Sequence, residues 1–283
     1  VTLPDNVNFT TSLGDFKDYI RLVLAVPSHA MRSVAEQMAN LDFHPELIVN
    51  VAKGIENDTF MRMSEVILDE MESMNPSQVV TMTGPTHAEE VSQDMPSAIV
   101  AASDSMETSR LVQTIFMDKY FRVYTNNDII GAELGGSVKN VIAIAAGILD
   151  GMSQGDNPKA ALMTRGIAEI TRLGLAAGAR RDTFSGLSGI GDLIVTCLSQ
   201  HSRNRHVGEQ LGRGKKLDDI LGEMKMVAEG VKTAKSVQQM AENYSVDMPI
   251  TQQVFQVLFH DKTPESAIYD LMSRDPVHEH HSM

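Results

Sequence analysis

Five short runs of aliphatic and β-branched residues, at 22–26 (LVLAV), 47–51, 79–83 (VVTMT), 97–102 and 121–124 (FRVY), lie within the first 125 residues, and the strand signal then disappears. Stretches of helical periodicity separate the runs, at 29–39, 59–73, 86–92 and 106–117. A strand that is apolar on consecutive residues has both faces covered. Alternation of such strands with helices therefore predicts a doubly wound, mostly parallel sheet. From about residue 128 the period changes: Leu134, Val138, Val141, Ile142, Ala145 and Ile148 form one apolar stripe and predict a long helix over 128–150. Asn157 is placed to cap the next helix, Gly178 to stop it, and Thr263 followed by Pro264 to start another. The chain thus divides into an α/β part, 1–125, and an all-helical part, 126–283.

Charge and cysteine usage narrow the function. A formal charge of −13 repels a polyanion, which argues against nucleic acid as a partner. No apolar run approaches the roughly eighteen residues of a membrane span. Cys197, the single cysteine, cannot form an intramolecular disulfide, and no signal-peptide pattern opens the chain, so a reducing cytoplasm is expected. The closing His278, His280 and His281 read as a frayed tail rather than a metal site. A first residue that is Val1 and not Met implies that something upstream is absent.

In an open parallel sheet, ligands bind beyond the carboxyl ends of the strands. Here those ends carry Pro27-Ser28, Ala52-Lys53-Gly54 and Gly84-Pro85-Thr86, all expected on one edge. Thr86-His87-Ala88-Glu89 has capping-box spacing, so Thr86 is expected to start a helix, either as an ordinary cap or as one whose free N–H groups receive an anion. Lys53 reads either as a solvated loop lysine or as part of that site.

The 128–150 helix carries Glu133, Gly135-Gly136 and Lys139-Asn140 within two turns. Two adjacent glycines inside a helix cost about 1 kcal/mol each against alanine, so packing or close ligand approach must justify them. Lys139 borders the apolar stripe, where a lysine either snorkels to solvent or is held in a cleft with a lowered pKa, as a general acid or base. Downstream, Gly189-Ile190-Gly191-Asp192 places a carboxylate after a flexible turn, either to hold an ammonium or to cap a helix, with Thr196 and Cys197 close behind. Cys197 reads as a small buried residue. Residues 201–216 hold Arg203, Arg205, Arg213, Lys215 and Lys216 against Glu209 alone. Such an island in an acidic chain fits a small anion, and Ser202-Arg203-Asn204 is a compact donor set for phosphate, with a solvated basic helix face as the alternative.

Read in order, A-V-P-S-H (25–29), A-K-G-I-E (52–56), T-G-P-T-H-A-E-E (83–90), F-R-V-Y-T (121–125), G-A-E-L-G-G-S-V-K-N-V-I-A-I-A-A-G (131–147), G-I-G-D-L (189–193), S-R-N-R (202–205) and E-G-V-K-T-A (229–234) closely resemble the bacterial NAD(P)-dependent glycerol-3-phosphate dehydrogenases. The resemblance implies a Rossmann-like domain followed by a helical substrate domain. It also implies hydride transfer between NAD or NADP and the dihydroxyacetone phosphate/sn-glycerol 3-phosphate pair, supplying phospholipid synthesis, and it leaves room for a homodimer. Residue by residue, Lys139 matches the family's proton donor and acceptor, and Lys53 a lysine near both substrate and nicotinamide. Gly84 and Thr86 match a substrate-contacting strand end, and Ala88 a cofactor contact. Asp192, with Thr196 nearby, matches the partner of the catalytic lysine, and Ser202, Arg203 and Asn204 the phosphate grip. Arg203, Val227 and Glu229 would meet the cofactor.

One departure is large. The family opens with a strand and a tryptophan-containing G-x-G-x-x-G turn that carries the pyrophosphate, whereas this chain has no tryptophan and begins Val1-Thr2-Leu3-Pro4. The Rossmann-like sheet is therefore expected to be incomplete at its N-terminal side, with an exposed edge and a weakened hold on the dinucleotide. Two competing readings are a catalytically silent fragment that keeps the substrate domain and a related β-hydroxyacid or ketopantoate-type reductase. Ser202-Arg203-Asn204-Arg205 and Lys139-Asn140 argue against the reductase.

Overall fold

The computed structural model of the chain describes residues 4–224 and 227–279. Its first part builds β1 (Arg21–Leu24), α1 (Met31–Asn40), β2 (Leu47–Asn50), α2 (Met63–Glu70), β3 (Val79–Thr83), α3 (Ala88–Val91), β4 (Ser97–Ala102), α4 (Met106–Phe116) and β5 (Phe121–Asn126). The strands form one sheet in the order β1-β2-β3-β4-β5. Leu24, Ile48 and Val79 pack on one face against Met31 and Met38 of α1 and Val66 and Ile67 of α2. Leu47, Val49, Val80 and Met82 pack on the other face with Val112 of α4. β2 and β3 are covered on both faces, as consecutive apolar residues predict, whereas Val23 of the edge strand β1 is 51% exposed, in line with an incomplete sheet on that side.

Pairing is parallel except between β3 and β4, where Thr83 faces Val100 in antiparallel register. A parallel return requires a helix that runs back along the sheet. The four residues of α3 span about 6 Å at 1.5 Å per residue. The five of β3 span roughly 17 Å. The chain therefore reverses.

Several boundaries differ from the sequence expectation. The helix expected over 59–73 is confined to Met63–Glu70: Asp58 and Phe60 ahead of it take positive φ angles of 70° and 61°, and Met71 behind it leaves the helical region at φ −106° and ψ 66°. The helix expected from 86 starts only at Ala88: Thr86 turns its hydroxyl back to the Gly84 carbonyl at 3.3 Å and caps nothing.

After Asn126 the chain is helical: α5 (Ile129–Gly151), α6 (Asp156–Ala176), α7 (Arg181–Phe184), a π-helical turn over Leu187–Gly191, α8 (Asp192–Leu198), α9 (Arg203–Gly212), α10 (Leu217–Glu223), α11 (Glu229–Asn243), α12 (Pro249–Phe259) and α13 (Pro264–Met272). Asp128 caps α5 by accepting from the Gly131 N–H at 2.9 Å. Its other oxygen accepts from the Arg180 N–H and the Thr183 hydroxyl. α5 has the length and hydropathy of a membrane span, yet 89% of that stretch is buried inside the protein, which makes it a core helix. At α6 the cap is Gly155, with φ 81°, and Asn157 lies inside the first turn instead. Gly178 takes φ 92° just beyond the end of α6, and Thr263 caps α13 through the Ser266 N–H. His280 and His281 lie outside the described residues.

The crossing of α5 and α9 is made by glycines. A methyl group on Gly147 would overlap the Arg205 carbonyl, one on Gly208 the Ile144 carbonyl, and one on Gly212 the Ile148 carbonyl. The two backbones are in direct contact, with no side-chain layer between them at these points.

Candidate active site

Three charged side chains meet where the carboxyl end of the sheet abuts the helical part. Asp192, the first residue of α8, is buried, with Oδ1 2.7 Å from Lys139 Nζ and Oδ2 2.7 Å from Lys53 Nζ. Lys139 comes from the middle of α5 and Lys53 from the loop after β2, so three separate elements converge on one carboxylate. Lys53 also donates to the Gly84 carbonyl at 3.1 Å, and Lys139 to the Thr196 hydroxyl at 2.5 Å. Thr196 in turn donates to the Asp192 carbonyl, one turn back on α8, at 2.6 Å. Of the alternatives open for Lys139, the structure shows the cleft: the residue is 5% exposed.

This burial sets the electrostatics. Desolvation pulls the Lys139 ammonium down to about 8, against the upward pull of Asp192 and with help from the repulsion of Lys53. Burial alone would raise Asp192, but the two lysines outweigh it and hold the carboxyl below its ordinary range. The cluster therefore carries one net positive charge while Lys139 holds its proton and none once that proton is lost, an exchange set at about 8. Cys197, next to Thr196 in sequence, is pushed up to about 12 by burial and stays a thiol, in keeping with a packing role.

The adjacent glycines of α5 are explained by protein, not by ligand. A methyl group on Gly136 would strike the Thr83 hydroxyl at the end of β3, and one on Gly135 the Ser188 carbonyl in the π-helical turn. They let α5 lie directly on the strand end and on the turn that leads into Asp192. Gly84 takes φ 156°, and a Cβ there would lie 3.1 Å from Ile99 Cα on the neighbouring strand.

The Ser202-Arg203-Asn204 set opens α9. Ser202 Oγ accepts from the Arg205 N–H as the helix cap at 3.2 Å, and the buried Asn204 Oδ1 accepts from the Gly230 N–H at 2.9 Å. These bonds use the acceptor side of each group, so the hydroxyl proton and the amide NH2 are the parts suited to an oxyanion. Arg203 is exposed and donates to the Val227 carbonyl at 2.9 Å. Glu229, at the start of α11, accepts from the Ser28 N–H at 3.0 Å, which brings that helix over the end of β1. Ala88 is exposed at the start of α3. The basic island is smaller than its sequence count implies: Arg205 pairs with Asp150 at 2.6 Å, Arg213 with Glu209 at 2.5 Å and Lys215 with Glu223 at 3.0 Å. Two of those carboxylates lie outside the 201–216 window.

Sequence reasoning singled out Glu133 without giving it a role, and it missed Asn50, Arg62, Ser64 and Thr81, which bond to it. It also passed over the paired G-x-x-x-G spacings at Gly147/Gly151 and Gly208/Gly212, a readable signal of close helix contact.

Family models for the NAD-dependent glycerol-3-phosphate dehydrogenase N-terminus and C-terminus match residues 1–109 and 128–269. A glycerol-3-phosphate dehydrogenase [NAD(P)+] of Chlorobium luteolum is 53% identical over 274 residues, which cover 96% of this chain and 82% of the relative. A second, from Salinibacter ruber, is 49% identical over 99% of this chain and 82% of its own length. The crystal structure of glycerol-3-phosphate dehydrogenase from Coxiella burnetii superposes with a TM-score of 0.90 at 34% identity, covering 96% of this chain and 82% of that one. The converging lysines, the strand end and the sequence identity agree, and the chain belongs to the NAD-dependent glycerol-3-phosphate dehydrogenase family.

Proposed function

We propose that this protein interconverts dihydroxyacetone phosphate and sn-glycerol 3-phosphate with NAD or NADP, supplying glycerol 3-phosphate for phospholipid synthesis. The observation that carries the reading is Asp192 held between Lys53 and Lys139 at 2.7 Å on each side. In the reduction, a carbonyl carbon gains a hydride and its oxygen a proton. Lys139, kept cationic by Asp192 yet lowered to about 8, gives that proton as the oxygen takes on negative charge. Lys53 places a second positive charge at the same point, so the developing alkoxide is stabilised by charges already oriented before the reaction. In oxidation the neutral Lys139 takes the alcohol proton. Thr196 and Asp192 hold the amine in line in both directions. The donor sides of Ser202 and Asn204, with Arg203, take the substrate phosphate, and Gly84 and Thr86 line the strand end against the substrate.

The chemistry of the donor set fits the nicotinamide cofactor. Half-buried Lys53 and exposed Arg203 are cations suited to an anionic dinucleotide, beside the strand ends that meet at Ser28 and Gly54. Lys53, Ala88, Arg203, Val227 and Glu229 are assigned to holding it, and when bound it supplies or accepts the hydride. In this reading residues 1–125 serve the cofactor and 126–283 the substrate and the proton. Oxidation of NADH and of NADPH, followed by absorbance with dihydroxyacetone phosphate present, tests it: no turnover with either cofactor rejects the assignment. A cytoplasmic location and a homodimer complete the proposal. The first is supported by the single buried thiol and tested by cell fractionation. The second is supported by the exposed stripe of Ile190, Ile194 and Leu198 and tested by light scattering of the wild type and Ile194→Glu.

A further inference from the structure

Glu133 lies on α5, less than two turns ahead of Lys139, and its carboxylate is buried. It collects five hydrogen bonds. Arg62 Nη1 and the Ser64 hydroxyl each donate to Oε2 at 2.6 Å. The Ser64 N–H donates to Oε1 at 2.9 Å, the Thr81 hydroxyl at 3.0 Å and the Asn50 amide at 3.5 Å. The donors come from the start of α2, the middle of β3 and the end of β2, so one side chain of the helical part fastens three elements of the sheet part.

Two of those bonds lead to the lysine cluster. Asn50, besides donating to Glu133, accepts from the Ala52 N–H at 2.9 Å, and Ala52 is followed by Lys53. Thr81 lies two residues before Thr83 on the same side of β3. Thr83 stands 3.5 Å from Asp192 Oδ2 and against Gly136. If stability alone were at stake, an apolar group of similar volume would serve about as well as a buried ion pair. A carboxylate with five directed bonds adds orientation.

We infer that Glu133 is a positioning residue for the reaction: by clamping α2, β2 and β3 to α5, it sets Lys53 and Lys139 on the two oxygens of Asp192. The inference rests on the proposed role of that lysine pair.

The test compares Glu133→Gln, Asn50→Ala and the double variant with the wild type. Glu133→Gln keeps the volume but sets an amide NH2 against Arg62 and Ser64. The expected result is a fall in kcat of about 10- to 100-fold from misplacement of the lysines, with the KM for dihydroxyacetone phosphate little changed. Lys139, less firmly held by Asp192, would lose its proton more readily. The basic limb of the kcat profile should then move to lower pH, and Lys139 should be acylated faster by an amine-selective reagent, read peptide by peptide in mass spectrometry. Asn50→Ala should shift the same quantities, and the double variant should do little more than the stronger single one, because both act along one connection.

A Glu133→Gln protein with a lower thermal midpoint but wild-type kcat, pH limb and Lys139 labelling overturns the inference, as does strict additivity. If Glu133→Gln does not fold, Asn50→Ala decides by the same readouts. A wild-type chain that reduces no dihydroxyacetone phosphate rejects the proposed reaction instead, and the labelling comparison still decides the role of Glu133.

Discussion

Lys139 and Asp192 form a buried ion pair, Nζ to Oδ1 at 2.7 Å, in which the lysine is brought down to about 8 while the carboxyl stays low. Two consequences are measurable. Lys139→Ala should lower kcat by about 10² to 10⁴, the range for a positioned acid or base, with a smaller effect on binding. In the wild type, reduction should decline as pH rises through about 8, because Lys139 then lacks the proton it must give, and oxidation should rise over the same interval. Steady-state rates in both directions across pH check this. A flat profile around 8 would remove Lys139 from proton transfer.

Arg203 is the member of the basic island whose guanidinium is bonded to a main-chain carbonyl, while Arg205 and Arg213 are paired with Asp150 and Glu209. Arg203→Lys keeps the charge and loses the planar fork. We expect a clear rise in the KM for dihydroxyacetone phosphate in Arg203→Lys, and KM values near wild type in Arg205→Lys and Arg213→Lys. Equal changes in all three would point to a diffuse electrostatic patch.

Gly208 has no room for a methyl group against the Ile144 carbonyl, whereas Gly222 in α10 has open space around it. Gly208→Ala should destabilise the fold by about 1–3 kcal/mol through forced backbone separation. Gly222→Ala should be neutral or stabilising by up to about 1 kcal/mol from helix propensity. Thermal midpoints of the two variants give the comparison, and similar values would mean that α9 yields easily.

Glu169 on α6 accepts from the Ile250 and Thr251 N–H groups at the start of α12, at 2.7 and 3.2 Å. Burial nevertheless raises it from 4.5 to about 7, against those bonds. A carboxyl raised in the folded state contributes stability that is fully present below the unfolded value and lost as pH climbs through the folded one. The wild type should therefore lose stability between about pH 4.5 and 7 relative to Glu169→Gln, whose curve should be flatter there. Denaturant midpoints at three pH values across the window test the sign. Parallel curves would show that Glu169 titrates normally.

The strands were legible because covered strands are apolar on consecutive residues, and Val79–Thr83 and Ser97–Ala102 match their expected ranges. The reversal at β4 was not, since strand direction is set by how much helix lies in the connection, and composition does not report that. At the site, Lys139 stood out through its place on the border of a stripe and Asp192 through the turn before it. The bond between them joins residues 139 and 192, and such pairing has no local signature. Glu133 was harder still. Its donors at 50, 62, 64 and 81 are ordinary polar residues until folding gathers them. The basic island misled because Asp150 and Glu223, which neutralise Arg205 and Lys215, are remote from it in sequence or lie beyond the counted window.

The glycine crossing of α5 and α9 acts as a gauge block. In the proposed reaction one helix carries the proton donor and the other opens with the phosphate grip, and their separation is set by carbonyl against Cα, a distance that no rotamer can adjust. Selectivity for a three-carbon phosphate would then be held in the main chain. Enlarging or trimming side chains along these two helices should change how tightly a substrate is bound without admitting a longer one. An enzyme accepting a four-carbon analogue would have to be sought on the sheet side, at the strand ends of Lys53 and Gly84, which lie outside this helix crossing.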